Sequence, residues 1–435
     1  MEAEALAHRI IEKLRSAGHQ AYLVGGCVRD LLLGGKPKDF DVSTDARPDR
    51  IMSLFPNSGR VGAHFGVVLV RDVFAQVEVA TFRSDNEYSD GRRPSGVHFE
   101  HDPRQDVLRR DFTINGLLLD PDTGGVLDYV GGRADLDART IRAIGDPAVR
   151  FREDHLRLLR AVRFAARLGF AIDPPTFAAI QRDHALVRKV AAERVRDELA
   201  RILTEGGARR GFELLDESGL LAVILPEVAA MKGVEQPPQY HPEGDVWVHT
   251  LLLLDGLRHP TLTLALGALL HDVGKPPTFR VAERIRFDGH VEEGVRLANQ
   301  ILTRLRFSNE EIEQVEALVA NHMRFKDLPS MKQSTLKRFL RLPGFPEHLE
   351  LHRLDALASN RNLDQYELAK RALEQFPDEH LKPAPLVTGA DLIAAGYHPG
   401  PIFSTILTAV EDAQLEGRIH TAGEGLALVR EMFPL

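Results

Sequence analysis

Apolar residues in the opening stretch, MEAEALAHRIIEKLRSAG, recur at three- and four-residue spacing, which predicts an amphipathic helix led by acidic residues. Short strand-like runs follow: AYLVGG, KDFDVST, FGVVLV, VEVATF and VLDYV, separated by Gly, Pro and Asp punctuation. Up to residue 140 this pattern predicts a small α/β domain with one mixed sheet. From Asp154 to about Ala208 the period lengthens. LRLLRAVRFAARLGF and AERVRDELARILTEG place their apolar residues on one helical face. Helical patterning continues from Gly211 to the C-terminus. The predicted class is α+β, divided as 1–140, 141–210, 211–380 and 381–435. Pro237, Pro238 and Pro242 mark a boundary near residue 240, and HLKPAPLVTG marks another at 380–389.

Composition adds bounds to this picture. A chain of 435 residues, 43% apolar and 27% charged, is long enough for three or four globular domains. It contains no run of 18 or more apolar residues, so no membrane span is expected. The N-terminal stretch lacks the basic and apolar regions of a signal peptide, and the expectation is a cytoplasmic protein. With Cys27 as the one cysteine, an internal disulfide and a Cys-rich zinc site are excluded. The net charge of −8 looks unsuited to nucleic acid, but its distribution matters more than its sum. Between Arg139 and Arg210 there are 16 Lys plus Arg against 9 Asp plus Glu, a local balance of +7. That basic middle reads either as a solvated helical face or as a restricted RNA footprint.

The chemistry-bearing residues begin in KDFDVST. On a strand, Asp39 and Asp41 point to the same face. Two carboxylates placed so can share divalent cations, and Mg²⁺ prefers oxygen ligands and substrate phosphates. Such ions lower the pKa of an attacking 3′-hydroxyl and stabilise a leaving pyrophosphate. Alone, the pair is equally an exposed strand end. Upstream, in LVGGCVRDLLLG, Gly25 and Gly26 follow a strand and allow close backbone approach, while Arg29 falls on the first helical turn in reach of a triphosphate. Glu78 in VEVATFR is a candidate third carboxylate, with an exposed strand glutamate as the plain alternative. Residues 84–103, SDNEYSDGRRPSGVHFEHDP, read as a mobile polar loop near this site.

GGCVRD, KDFDVST, RRDFTING and REDHLRLLRAVRF occur in the order of the class II tRNA nucleotidyltransferase and poly(A) polymerase family, and the chain resembles that family over residues 20–230. The resemblance implies a head with the DNA polymerase β nucleotidyltransferase fold, followed by an all-helical neck, body and tail. It implies that Asp39 and Asp41 bind metal and that Gly25, Gly26 and Arg29 hold the triphosphate. Arg110, Asp111 and Asn115 match the ribose-reading motif, with Gly116 where the family usually has Ala. In FREDHLRLLR, Asp154 and Arg157 are three apart and would share a helix face. A carboxylate accepts from an exocyclic amine and a guanidinium donates to a ring nitrogen or carbonyl, which together match C or A. Read as residues alone, they also fit a surface ion pair. The resemblance favours base reading, because Glu153, Asp154 and Arg157 match the family's templating element. Arg160 and Arg163, further along, join the nucleotide-binding set. Arg194 and Glu198 match a motif that supports this helix. The implied partners are tRNA, CTP and ATP, with no membrane. CCA addition, A-only addition and poly(A) synthesis share these motifs. GRVGAHFGVVLV looks more like the tRNA enzymes, and the polar loop argues against CC-only enzymes.

LLHDVGK places His271 and Asp272 at the end of an apolar run. His249 lies 22 residues before His271, and Asp355 lies 83 after Asp272 in LHRLDALAS. Imidazoles and carboxylates suit Mn²⁺, Fe²⁺, Ni²⁺ or Mg²⁺, and such an ion lowers the pKa of water for attack on a phosphoester. The set resembles the HD phosphohydrolase superfamily. His290 in GHVEEG and His322 in ANHMRF match further histidines of that superfamily, for a second metal. The competing expectations are a degenerate HD domain that only supports tRNA, and a protein whose main activity is the HD hydrolase with the head as an RNA-binding module. In the tail, Gly389 and Asp391 precede a short helix, and His398-Pro399-Gly400-Pro401 forms a turn before another.

Overall fold

The computed structural model describes residues 2–60, 66–85, 91, 95–239, 241–377 and 381–434. The chain divides into two compact units, Met1–Ala229 and Ala230–Leu435.

In the first unit, helix α1 (Glu2–Ser16) buries Leu6, Ala7, Ile10, Ile11 and Leu14, the stripe its spacing predicts. The strands are β1 (Ala21–Val24), β2 (Asp41–Thr44), β3 (Ser58–Arg60), β4 (Val67–Arg71) and β5 (Gln76–Thr81). Helix α2 (Gly26–Leu32) lies between β1 and β2, and α3 (Pro48–Leu54) follows β2. Beyond these come the short strands β6 (Arg83–Asp85) and β7 (Val97–Phe99), helix α4 (Pro103–Leu108), and β8 (Leu117–Leu119) and β9 (Val126–Asp128). Seven strands form one sheet in the order β3-β4-β5-β2-β1-β8-β9. It is mixed as expected, since β2 and β5 run parallel while the other neighbours are antiparallel. Alternation along β5 sends Val77, Val79 and Thr81 inward and leaves Glu78 on the other face. The polar stretch 84–103 departs from expectation at its ends, where β6 and β7 pair antiparallel. Its residues 86–90 and 92–94 lie outside the described ones.

The helical part of this unit opens with α5 (Gly132–Asp137) and β10 (Thr140–Ile141), then α6 (Pro147–Glu153) and α7 (Arg157–Leu168). Gly169 ends α7 with φ 65°, a left-handed cap. Strand β11 (Ala171–Ile172) pairs with β10, and α8 (Pro174–Asp183), α9 (Ala192–Thr204) and α10 (Ala208–Glu217) follow. The second unit is helical around a buried apolar core, with one short hairpin, Arg280–Val281 against Ile285–Arg286. In the tail, Gly389–Ala394 forms a short helix whose Asp391 closes a capping box with Thr388, and the turn at 398–401 leads into the helix Ile402–Leu415.

Candidate functional site

The first constellation grows from the β1–α2 turn. Gly25 takes φ 77° and ψ −134°, a conformation that favours glycine. A Cβ there would lie 3.6 Å from Arg110 Nη1 and 3.9 Å from Asp41 Oδ2, so the turn runs directly beside the carboxylate. Asp41 opens β2, and its register partner on β5 is Glu78. Directly opposite residues of neighbouring strands share a face. Asp39 is placed differently from the expectation: it lies in an exposed bend before β2, not on the strand. The shared-face geometry therefore holds for Asp41 and Glu78 across the ladder, and Asp39 joins them from the bend. Burial, then Glu78 and Asp39, push the Asp41 carboxyl up to about 6 against the pull of Arg110. Asp41 and Glu78 thus offer carboxylate oxygens from neighbouring strands, with Asp39 close enough to be felt at Asp41, though among the described residues these three do not bring their oxygens within 4.8 Å of one another as the clusters of the second unit do.

Arg110 is anchored by Nη2 on Asp106 at 2.8 Å, while its Nε is buried with no hydrogen-bond partner. Asp106 also accepts from Arg109 and from Ser43 on β2. Against the cost of burial, the two arginines hold its carboxyl down at about 2. Asp111 and Asn115 are joined by an amide-to-carboxylate bond of 3.2 Å. Each has its own brace. Arg160 Nε donates to Asp111 Oδ2 at 2.8 Å, and Arg29 Nη1 donates to Asn115 Oδ1 at 2.8 Å. Burial opposes ionisation of Asp111, yet Arg160 and Arg157 lower its carboxyl to about 2. Arg29 is only 2% exposed, pairs with Asp30 at 2.7 Å and lies over the Phe164 ring. It is thus a buried brace, with a smaller reach into solvent than its place on an open helical turn implies. At Gly116, a Cβ would meet Val130, Val107 and Ile144 at 2.9–3.2 Å, so the space of the family's alanine is filled by apolar neighbours.

The Asp154–Arg157 geometry also departs from the expectation. Asp154 ends α6 with φ −138° and ψ 107°, and α7 starts only at Arg157, so the two do not share a helix face. They have separate partners. Arg194 on α9 clamps Asp154 with bonds of 3.0 and 3.3 Å. Arg157 donates to Glu153 at 2.7 Å and to the Arg109 carbonyl at 3.0 Å. Arg163 of α7 forms a buried pair with Glu198 of α9 at 2.6 Å. Gly91, from the polar stretch, accepts from the His155 amide at 3.1 Å, and a Cβ on it would lie 2.2 Å from His155 Nε2. That stretch therefore touches the α6–α7 junction.

The second constellation lies wholly in the second unit. His249 comes from α11 (Val246–Gly256), and His271 and Asp272 follow α12 (Leu262–Leu270). His290 starts α13 (His290–Arg304), His322 follows α14 (Asn309–Asn321), and Asp355 sits on α15 (Phe345–Ala358). All six converge. His249 Nε2 lies 3.3 Å from His271 Nε2 and 3.1 Å from Asp355. Asp272 turns Oδ2 to His271 at 3.2 Å and Oδ1 to His322 at 3.8 Å. Two sets of ligand atoms, His249–His271–Asp355 and Asp272–His290–His322, each fall within 4.8 Å of one another. The Nε2 atoms of His290 and His322 are buried without a hydrogen-bond partner. Buried lone pairs without donors, beside a carboxylate, fit a divalent cation. Burial lowers the His249 pKa, but hydrogen bonds to Asp355 and Glu243 outweigh it and raise the ring to about 9. Lys275 Nζ reaches Asp272 and Gln236, both at 2.6 Å. The sequence reading missed Glu243, Gln236 and His241. They sit in an irregular Pro-rich segment, where no periodicity points to a partner.

Three family models match the chain: the poly A polymerase head domain over residues 21–142, the probable RNA and SrmB-binding site of polymerase A over 169–232, and the HD domain over 246–355. A CCA-adding enzyme of Levilactobacillus brevis is 44% identical over 215 residues, 49% of this chain and 54% of that protein. One from Bacillus pumilus is 42% identical over 249 residues, 56% of this chain and 62% of that protein. The chain thus spans little more than half the length of these relatives. A CCA-adding enzyme of Limosilactobacillus fermentum is 31% identical over 413 residues, covering 95% of this chain and 93% of that protein. The Bacillus stearothermophilus CCA-adding enzyme, solved in complex with CTP, superposes with a TM-score of 0.77 at 28% identity, over 97% of this chain and 96% of that one. The Thermotoga maritima CCA-adding enzyme, solved with tRNA, shares the fold at a TM-score of 0.62 and 19% identity, over 98% of this chain and 95% of that one. Matched along nearly the whole of a relative, with the head, RNA-binding and HD regions in order, the chain belongs to the tRNA nucleotidyltransferase and poly(A) polymerase family of CCA-adding enzymes.

Proposed function

We propose that this protein adds or repairs the 3′-terminal CCA of tRNA, using CTP and ATP without a nucleic-acid template. The observation that carries the reading is the carboxylate cluster, with Asp41 in register with Glu78 and Asp39 beside them. Asp39 and Asp41, with Glu78 in support, would hold Mg²⁺, which would activate the tRNA 3′-hydroxyl and stabilise the leaving pyrophosphate. The chain's own residues do the rest. Gly25 leaves room beside Asp41 for a triphosphate, with Gly26 next to it beside Arg29, and Arg110 offers positive charge near Asp41. Arg29 acts through Asn115, and Arg160 through Asp111, so that Asp111 and Asn115 face the ribose in one orientation. Asp154 and Arg157 select the base, each held by its own partner, and Arg163 with Glu198 stiffens the helix behind them. In this reading the head is 1–140, the neck 141–210, the body 211–380 and the tail 381–435. Among the described residues no helix is long and apolar enough to cross a membrane.

The test uses tRNA ending in the discriminator base, in CC or in CCA, with labelled CTP or ATP. CTP use on the first substrate is expected. ATP use on the CC end alone would make this an A-adding enzyme, and long A tails would make it a poly(A) polymerase. Asp39→Ala with Asp41→Ala should abolish incorporation while tRNA binding stays nearly unchanged; retained incorporation sinks the mechanism.

The two ligand sets of the second unit favour a second activity, hydrolysis of phosphoesters such as 2′,3′-cyclic ends. His249, His271 and Asp355 would hold one ion and Asp272, His290 and His322 the other. Mn²⁺, Ni²⁺, Fe²⁺ or Mg²⁺ suits these donors and would supply an activated water. Phosphodiesterase activity after loading with Mn²⁺ or Ni²⁺, lost in His271→Ala, is the expected result. Its absence in the loaded protein would leave the HD domain a tRNA support.

A further inference from the structure

Four histidines surround Asp272, and each must present an unprotonated Nε2 to take an ion. Which ring nitrogen keeps its proton is set by what the other one meets. For three of them that is a carbonyl three residues earlier. His271 Nδ1 lies 3.0 Å from the Ala268 carbonyl, His290 Nδ1 lies 2.9 Å from that of Phe287, and His322 Nδ1 lies 2.7 Å from that of Val319. His249 differs. Its Nδ1 lies 2.7 Å from Glu243 Oε1, a carboxylate six residues upstream and outside the helix. A carboxylate only accepts, so Nδ1 donates and Nε2 turns to His271 and Asp355.

Glu243 is itself held in place. His241 Nδ1 lies 2.8 Å from the same Oε1, and the His241 ring meets the His249 ring edge-on at 5.0 Å between centroids. The other oxygen, Oε2, is buried and without a hydrogen-bond partner. A carboxylate kept buried with one oxygen unsatisfied carries a desolvation cost that a purely structural pairing does not explain. Both ring donors instead converge on the oxygen that faces His249.

We propose that Glu243 is the positioning residue of the second unit's metal centre, fixing the tautomer and the aim of His249 and raising its strength as a ligand. This rests on the reading that the six converging residues bind divalent metal. The rival arrangement, an ion held by His241, Glu243 and His249 themselves, also has its ligand atoms within 4.8 Å. There the ion would have to displace both N–H donors from Oε1.

The experiment is a Co²⁺ titration of the full chain in an Asp39→Ala, Asp41→Ala background, which removes the head carboxylates as competing ligands. Visible absorption bands report both affinity and ligand geometry. Glu243→Ala should weaken Co²⁺ binding by about 10–100-fold and alter the band envelope. Glu243→Gln keeps an acceptor oxygen without the charge and should fall between; it carries the test if the alanine variant does not fold, as judged by thermal unfolding without metal. His241→Ala should lose less than Glu243→Ala. Unchanged affinity and bands in both Glu243 variants overturn the proposal. Equal losses in His241→Ala and Glu243→Ala overturn it in favour of the rival set. A parent protein that shows no bands removes the metal-centre reading itself, and this inference with it.

Discussion

Arg194→Ala tests whether base selection depends on the clamp that holds Asp154. Asp154 lies in the non-helical link between α6 and α7, so no helix fixes its direction. What holds it is the guanidinium of Arg194, through bonds of 3.0 and 3.3 Å, and the Leu156 amide at 3.1 Å. The pair is partly exposed, with side chains 25% and 19% accessible, so solvent weakens it below a buried pair. Two charge-assisted bonds so discounted are worth about 1–2 kcal/mol. If that energy orients the base-reading carboxylate, kcat/KM for CTP and ATP should fall by about 5–30-fold. Discrimination against UTP and GTP should fall with it. Arg194→Lys keeps the charge but not the fork and should lie between. In an Asp154→Ala background the same change should add little, because it acts through the missing group. The assay is single-turnover incorporation on tRNA ending in the discriminator base or in CC. Changes below about twofold in both rate and discrimination would refute the reasoning. So would full additivity with Asp154→Ala.

Three further outcomes follow from the geometry. Glu198→Ala breaks a pair whose side chains are 4% and 5% exposed and leaves Arg163 only its longer 3.6 Å contact with Glu205; a loss of about 3 kcal/mol is expected, read by denaturant unfolding of the first unit. Asp41, with its carboxyl raised to about 6, binds a proton more tightly when folded than unfolded. In chelated protein, the first unit should therefore gain stability as pH falls through 6, by at most about 3 kcal/mol, and lose it as pH rises; Asp41→Asn should flatten that slope in thermal melts. Gly274→Ala would put a Cβ 2.1 Å from the His290 carbonyl and 2.5 Å from the Gly294 amide, pushing the His290 helix from the HDVGK turn. Metal affinity of the second unit, measured by competition with a chelator, should drop by about tenfold or more.

Periodicity makes most of the sheet and the helices legible, while β3 and β8 fall outside the five strand-like runs. The α1 stripe, the β5 alternation and the tail helices all appear where apolar spacing puts them. What it could not show was where regular structure stops. KDFDVST reads as one strand, yet Asp39 and Phe40 precede β2. FREDHLRLLR reads as one helix, yet it breaks between Glu153 and Arg157. At the second break a polar side chain, Asp154, has its partner outside its own element, Arg194 on α9. Local propensity is a weak prior against such tertiary bonds.

The same limit explains the site. Residue types and motif order single out Asp41, Asp111, Asn115 and Asp154 for the proposed site, and the six residues that converge in the second unit. Their supports were not visible, because they come from distant elements. Arg194 lies 40 positions beyond Asp154, and Arg29 lies 86 before the Asn115 it braces. A motif records which groups meet the substrate; it does not record which groups hold them. In this protein the holding groups are mostly arginines and carboxylates paired in or near the interior, and Arg29 shows the consequence. Its place on a helical turn beside two glycines reads as phosphate contact, while its 2% exposure and its bonds to Asp30 and Asn115 make it a support. The distinction is measurable. Arg29→Ala acting through Asn115 should lower kcat and distort ribose discrimination between CTP and its 2′-deoxy analogue. A triphosphate ligand would instead raise KM for both nucleotides equally, and that pattern would return Arg29 to the phosphate site.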